Sequence, residues 1–323
     1  MALAKLFQKY FLNIFISIIK YGNEWTVYSK IIKNGVLIDK FVKSFDVNES
    51  ETIDKEMQEY LNILQSKYNF SYTILLLDSM GQGALSGTRA VDFKKNGIDM
   101  RSLTHLKIEK KWSIYTSFID INWSKKLFSN VGLDFIYSPF IIQHSLLKKQ
   151  KTEHKPILYM LNHETSVTIT IFNRNNFLFG AYFKTIIEET ISSVDDEDWE
   201  NATEEDAINI TELDNMDEEI GNIDELDGEG LGAFEDVILN NSSLELFGRD
   251  ILIYKHLTSS LREFYKNPLY KGAFIDTVIV YDGYKTSSEL IEMIENELFM
   301  DLKVHKINIS EEICNIAIKE VLA

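Results

Sequence analysis

A short polar turn between two apolar runs carries the residues best suited to chemistry. The apolar run that begins at Ile157 reaches the polar residues 162–166, NHETS, and an alternating run then continues to Phe172. Apolar residues at every second position are typical of a strand with one buried face, so we predict a strand pair joined by this turn. Such a turn can present backbone N–H groups to a phosphate, but it is also an ordinary connection between strands.

Other residues with reactive side chains have settings that favour structural roles. His163 lies in the polar turn without the histidine spacing of a metal site, so we expect a surface histidine. Cys314 is the single cysteine and lies in an amphipathic segment, which predicts a buried structural thiol. The glycine-rich residues 79–87 lack the lysine of a phosphate-binding P-loop, so we expect a mobile or interface loop. No nucleophile motif of the GxSxG type is present.

The composition indicates a folded protein with one very acidic segment. The 323 residues are 45% hydrophobic and 12% aromatic, which is enough to bury a large core, and we expect two lobes. Of the 50 acidic residues, 21 lie in residues 188–236, which contain no Lys or Arg; the remainder has 33 basic and 29 acidic residues, a balance of +4. Because like charges repel, we predict a flexible insertion at about 188–236. It is either a solvated linker or a docking segment for a basic partner.

Charge and hydropathy exclude several classes of protein. Outside the acidic segment the Lys and Arg residues are scattered, so no direct nucleic-acid binding is expected. A single cysteine suits a reducing cytoplasm. The longest nearly apolar run, residues 10–19, is half of the ~20 residues that a membrane-spanning helix needs. The first nine residues, MALAKLFQK, either stabilise the fold as a helix or extra strand or contact a membrane surface.

The order of the predicted elements repeats one plan twice. Residues 11–45 form a three-stranded antiparallel meander, followed by a helix, a buried strand and then strand, helix, strand, helix up to residue 149. A second meander over 157–183 is followed by a long helix and by strand, helix, strand, helix. This order predicts an α/β fold of the actin/hexokinase (ribonuclease H-like) type with mixed sheets. The two lobes are expected at 1–150, with a small insertion at about 79–111, and at 151–323.

Four stretches of the chain carry a resemblance to a known family. They are IFISIIKYGNEWTVYSKIIKNGVLIDKF, KLFSNVGLDFIYSPFIIQHSLLK, ILYMLNHETSVTITIFNRNNFLFGAYF and FIDTVIVYDGYKTSSELIEMIENELFMDLKVHKI. In this order they resemble the PilM/GspL group, the actin-fold cytoplasmic proteins of type IV pilus, type II secretion and DNA-uptake (natural transformation) machines. The resemblance covers most of the chain outside the acidic segment and rests on the order of the pieces.

The resemblance also implies where a nucleotide site would lie and how it is altered. In the ATP-binding members, each of two meander turns holds an acid and a glycine in a D-x-G arrangement. Here the first turn keeps Gly22 without the acid, and the second has Asn162 in the acid's place and Glu164 in the glycine's. The adenosine-side turn appears as Asp282-Gly283. The candidate cofactor-binding residues of these degenerate phosphate and adenosine turns are Gly22, Asn23, Asn162, Thr165, Ser166 and Gly283.

The altered turns imply a non-catalytic protein, with no catalytic residue, metal or cofactor expected and weak ATP binding as the alternative. By resemblance, the chain would bind the cytoplasmic tail of a bitopic inner-membrane protein, the assembly ATPase, or both, at the cytoplasmic face of the inner membrane. A homodimer is left open. The alternative function is a membrane-associated actin-like ATPase. A third is a sugar or acetate kinase-like enzyme of the same fold, for which Asp78 is the candidate acid.

Overall fold

The computed structural model describes residues 8–47, 52–150, 155–185, 241–270 and 272–322, with the backbone alone for 241–245. The predicted acidic insertion at 188–236 lies outside these residues. The described residues up to 185 and from 246 onward belong to one compact unit.

In chain order the elements are β1 (Asn13–Tyr21), β2 (Glu24–Lys33), β3 (Val36–Asp46), α1 (Lys55–Lys67), β4 (Phe70–Leu76), β5 (Gln82–Ser86), α2 (Ala90–Lys95), β6 (Leu103–Ile108), β7 (Trp112–Ser117), α3 (Phe118–Leu127), β8 (Phe135–Tyr137), α4 (Pro139–Leu147), β9 (Pro156–His163), β10 (Ser166–Asn173), β11 (Asn176–Lys184), α5 (Asn241–Lys266), β12 (Thr277–Asp282), α6 (Ser288–Glu292), β13 (Asp301–Lys306) and α7 (Ile309–Leu322).

Two five-stranded sheets have the same strand order. The first runs β3-β2-β1-β4-β8, and the second runs β11-β10-β9-β12-β13. In each sheet the three meander strands are antiparallel, and the last two strands are parallel to the first meander strand. This duplicated mixed sheet with helices between its strands is the actin/hexokinase-type fold, so the predicted fold class is confirmed. The division into lobes at residue 150 stays a prediction.

A third sheet, β5-β7-β6, lies between β4 and α3 in the sequence. The expectation of a loop over residues 79–87 is wrong for Gln82–Ser86, because this segment pairs with β7 along its whole length. Gly83 does not supply flexibility here: a Cβ at Gly83 would clash with the Tyr115 ring on β7. The glycine therefore makes room for a neighbouring side chain within a strand, a role that the local sequence does not distinguish from a loop.

Three hydrophobic clusters hold the sheets and helices together. One face of the first sheet packs against α1, and one face of the second packs against α5. The third cluster joins residues of all three sheets with α4 and α7, and within it Trp112 stacks on Phe177 with ring centroids 4.6 Å apart. Cys314 lies in this cluster, fully buried, and burial raises the pKa of its thiol to about 12. The predicted buried thiol is confirmed.

The alternation predicted around the polar turn is present. Val167, Ile169 and Ile171 pack in the cluster against α5, whereas Phe172 packs in the cluster on the other face of the second sheet. The predicted helix between β12 and β13 is α6 followed by a π-helical turn, Met293–Glu297. Among the described residues, no helix combines the length and the apolar character needed to cross a bilayer.

Candidate functional site

The three predicted turns lie at the ends of strands that face one another. Gly22 and Asn23 form a two-residue turn between β1 and β2, and Gly22 has a φ of +49°. Glu164 and Thr165 form a two-residue turn between β9 and β10. Gly283 follows β12, and its N–H donates to the Asn162 carbonyl at 2.9 Å. The second and third turns are therefore in direct contact.

Asn162, which stands in the acid's place, is fully buried and ties the second turn to the third. Its Nδ2 donates to Asp282 Oδ1 at 3.0 Å, to Thr286 Oγ1 at 3.0 Å and to the Lys285 carbonyl at 3.1 Å. Its Oδ1 accepts from Arg249 Nη2. Because both ends of the amide already have protein partners, Asn162 has a structural role that an aspartate orienting water or metal would not have.

Arg249 of α5 braces the second turn from the side of the long helix. Its Nε donates to the Glu164 carbonyl at 2.9 Å, and its Nη2 donates to the His163 carbonyl at 2.6 Å. The side chain is 7% exposed and lies over the Tyr284 ring, 5.2 Å from its centroid. Burial lowers the pKa of Arg249, while the nearby Asp250 raises it, and the net shift is downward. The turn's carbonyl oxygens are thus satisfied by a buried cation.

The sequence reasoning did not identify Arg249. It is separated from the turn by the acidic segment, so no local motif connects the two. A signal was present in the helix itself, because Arg249 lies four residues before Ile253 on the stripe that continues with the buried Leu257 and Leu261. A charged residue on the buried face of a helix requires a polar partner inside the protein.

The Glu164 side chain extends from the second turn towards both of the other turns. Its carboxylate hydrogen-bonds the Tyr284 hydroxyl after the third turn, and Oε1 lies 3.9 Å from where a Cβ on Gly22 would stand. Burial raises the pKa of Glu164, and the nearby Glu24 adds to the rise, whereas Tyr284 and Arg249 oppose it; the net shift is upward. In place of a glycine that would admit a phosphate, the second turn carries an acidic side chain that reaches the first turn.

The prediction that His163 is a surface histidine is wrong. The turn has only two residues, so His163 is the last residue of β9, and its ring is 3% exposed. It stacks on Tyr21 at the end of β1, with ring centroids 4.8 Å apart. Its Nδ1 lies 3.0 Å from Thr165 Oγ1. Burial lowers the pKa of His163 to about 4, so the imidazole is neutral at pH 7.

Asp78 follows β4 and joins the two halves of the chain. Its carboxylate accepts from the Thr165 hydroxyl at 2.9 Å and from the Tyr182 hydroxyl, and it forms an ion pair with Lys184. Burial raises the pKa of Asp78, but Lys184 and the hydrogen bonds outweigh burial and hold it below its usual value. Because all these partners belong to the three-stranded meander of the second sheet, Asp78 serves as an anchor between the sheets.

The remaining predicted residues are distributed unevenly around the turns. Ser166 is buried at the start of β10, and Asn23 is exposed, with its carbonyl accepting from the Val47 N–H at 2.8 Å. A Cβ at Gly283 would clash with Ile309, because the start of α7 packs onto this glycine. Asn162, Thr165 and Gly283 therefore all hydrogen-bond to other parts of the chain at the turns, whereas the Asn23 side chain is exposed. Their role as cofactor-binding residues stays a prediction.

A comparison with models of protein families shows which family the chain belongs to. The model described as "Domain of unknown function (DUF8341)" matches residues 158–322, just over half of the 323 residues. The chain belongs to this family. A second model, described as "Domain of unknown function (DUF8569)", matches residues 11–144. The first family thus spans the second sheet, and the second model spans the first. The sequence matches no curated protein.

Similar solved structures extend over nearly the whole chain. A Bacteroides thetaiotaomicron protein with an actin-like ATPase fold and unknown function is 10% identical, with 96% of this chain and 98% of that one covered and a TM-score of 0.46. A PilM-PilN type IV pilus biogenesis complex is 9% identical, with 95% of each chain covered and a TM-score of 0.49. The ethanolamine utilization protein EutJ from Carboxydothermus hydrogenoformans is 8% identical, with 90% and 84% covered and a TM-score of 0.39.

Replacing Arg249 by methionine should destabilise the protein by about 2–4 kcal/mol, because three buried acceptors lose a charged donor. The measurement is urea unfolding at pH 7. Arg262→Met on the same helix is the matched control, since Arg262 is exposed, and it should change the free energy of unfolding by less than about 0.5 kcal/mol. Equal effects of the two substitutions would contradict the bracing role of Arg249.

His163 should make the protein less stable as the pH falls. The unfolded imidazole has a pKa of 6.5 and the folded one about 4, so between these values only the unfolded state binds the proton. From pH 7 to pH 5 this group should cost on the order of 2 kcal/mol of stability. His163→Phe, which keeps a ring against Tyr21, should remove that part of the pH dependence. His305→Phe on β13 replaces an exposed imidazole and is the control; an unchanged slope in His163→Phe would refute the assignment.

Proposed function

We propose that this chain is a non-catalytic scaffold protein of a type IV pilus, type II secretion or competence machine. It acts at the cytoplasmic face of the inner membrane, where it binds the cytoplasmic tail of a bitopic membrane protein, the assembly ATPase, or both. The observation that carries the proposal is that the protein's own side chains, Glu164 and the stacked Tyr21 and His163, occupy the space between the first and second turns. The resemblance of the sequence to the PilM/GspL group supplies the partners.

Two features of the turns oppose the binding of a nucleotide. A phosphate between Gly22 and the second turn would meet the Glu164 carboxylate, and two unit charges 4 Å apart repel by about 4 kcal/mol at the effective dielectric of a protein surface. The Tyr21 ring stacks on His163 in the same region, and separating the two would expose the buried imidazole. The Arg249 cation offsets this repulsion only in part, because its Nε and Nη2 donate to the turn itself and its Nη1 lies 3.6 Å from Asp250 Oδ1.

Calorimetry with ATP and Mg²⁺ tests this part of the proposal. We expect no saturable binding tighter than about 1 mM, since no favourable phosphate contact offsets the repulsion. Glu164→Gln removes the charge and keeps the size, and it measures how much of the barrier is electrostatic. Micromolar binding of ATP by the unmodified chain would instead favour the alternative, a membrane-associated actin-like ATPase.

An open sheet edge offers a place for the tail. The 11-residue strand β3 pairs with β2 and, within the described residues, with no further strand. Its outer edge therefore has backbone groups to which an extended peptide can add as a new strand. Val42, 58% exposed on this strand, lines a cavity of about 210 Å³ with Tyr28 and Ile309. A tail added to β3 can place one apolar side chain there.

Val42→Glu should weaken binding of the tail at least about tenfold, because it puts a charge at an apolar contact. Val304→Glu on β13, the exposed edge of the second sheet, is the matched control and should have little effect. Fluorescence anisotropy with labelled tails of the bitopic membrane proteins encoded beside this chain measures the affinity, and a pull-down tests the purified ATPase. The scaffold proposal fails if neither tails nor ATPase bind.

A further inference from the structure

One end of the first sheet exposes a group of large apolar side chains. This basal corner consists of Tyr10, Phe11, Leu12, Val36, Leu37 and Ile38, and each of these residues is between 37% and 61% exposed. Six exposed apolar residues in one place are unusual for a surface that only contacts water. We therefore infer that this surface contacts a binding partner.

Backbone contacts bring the two halves of the basal corner together and fix them. The Asn34 N–H, in the β2–β3 turn, donates to the Lys9 carbonyl at 2.7 Å. The buried Asn13 at the start of β1 donates from Nδ2 to the Phe11 carbonyl at 2.9 Å. The Phe11 ring also contacts Phe70 at the start of β4, with centroids 5.9 Å apart. The corner is thus an ordered surface at the sheet end opposite the Gly22 turn.

The charges at the basal corner are predominantly positive. Residues 8–12, 33–40 and 67–70, which form the corner and its border, contain Lys9, Lys33, Lys40 and Lys67 and one acidic residue, Asp39. All four lysines are exposed. Outside residues 188–236 the chain is nearly balanced, with 33 basic and 29 acidic residues, so the corner carries a local excess of positive charge. Lysine at the rim of an exposed aromatic and aliphatic surface is the combination that binds anionic lipid headgroups while apolar side chains enter the interface.

The corresponding end of the second sheet shows that aromatic exposure alone does not give this combination. Phe274 is 79% exposed and Phe299 is 84% exposed, and they lie just before β12 and β13. Their neighbours in the sequence include the acidic Asp276, Glu297 and Asp301. An anionic bilayer would repel this second aromatic surface, so it serves as a control for the first.

We propose that the basal corner binds directly to an anionic lipid bilayer. Lys9, Lys33 and Lys67 contact the headgroups, and the apolar residues of the corner enter the interface. The proposal rests on the location at the membrane that the proposed function includes, and it adds the surface and the chemistry of contact. Bound in this way, the protein turns the Gly22 end of the first sheet away from the bilayer, and β3 runs from the membrane surface towards that end.

Co-sedimentation of the full chain with vesicles tests the proposal. The vesicles contain either phosphatidylcholine alone or equal parts of phosphatidylcholine and phosphatidylglycerol. We expect binding to the anionic vesicles only, weakening as salt is raised. Lys9→Glu with Lys33→Glu should lower the partition coefficient at least about tenfold, since each lysine near an anionic surface contributes on the order of a fivefold factor. Tyr10→Ser with Val36→Ser and Ile38→Ser should also abolish most of the binding.

Matched variants separate this surface from general effects of charge and apolarity. Lys303→Glu with Lys306→Glu on β13 reverses two exposed lysines elsewhere, and Phe274→Ser with Phe299→Ser removes the other aromatic surface. Both should bind anionic vesicles within about twofold of the unmodified chain, and equal thermal melting curves verify that all variants fold.

Three results would overturn the proposal. The unmodified chain does not bind anionic vesicles, or the basal-corner variants bind as well as it does. In the third, the chain self-associates without lipid and the serine variants abolish that association, which would make a second copy the partner. Tail and ATPase binding are measured without lipid, so failure with vesicles leaves the scaffold proposal standing, and the reverse also holds.

Discussion

The buried contact of Arg249 with the β9–β10 turn is the interaction on which the rest of the site depends. The turn's carbonyls at His163 and Glu164 and the amide oxygen of Asn162 all converge on one guanidinium. Buried carbonyl oxygens need donors, and a buried cation needs acceptors, so each side of this contact makes the other tolerable. The same contact fixes α5 against the second sheet. Because Asn162 also bonds Asp282 and Thr286, the position of the third turn follows from it.

The two sheets are joined so closely that the hinge motion typical of two-lobed proteins has little room. Trp112 stacks on Phe177 within a hydrophobic cluster that includes residues of all three sheets. At the turns, Asp78 binds Thr165 across the boundary, and Tyr21 stacks on His163. Domain closure around a ligand requires an open state of comparable free energy. Opening here would expose a continuous core and break the Asp78–Lys184 ion pair, so both contacts oppose a hinge motion between the sheets.

The sequence was most informative where one periodicity decided the structure. Alternating apolar residues at Val167, Ile169 and Ile171 predicted the strand and its buried face, and the repeated order of strands and helices predicted the fold class. Prediction failed where the decisive contact lies far away in the sequence. It also failed where the length of a turn decides whether a side chain is buried. His163 changed from a surface to a buried residue because the turn has two residues, and Gly83 makes room for Tyr115, which lies on another strand.

The two ends of the first sheet differ in a way that gives the molecule a polarity. At the Gly22 end, Asn162, Arg249 and Asp78 form hydrogen bonds within the protein, and Glu164 and His163 lie between the first and second turns. At the opposite end, the apolar side chains of the basal corner have none of the cover that the same residue types have in the clusters. β3 connects these ends, beginning at Val36 in the basal corner and passing Val42 beside the cavity. A peptide that emerges from a bilayer at the basal corner could therefore follow β3 without crossing any other element. The scaffold proposal requires both features, turns that do not admit a nucleotide and a sheet edge that is open to a partner.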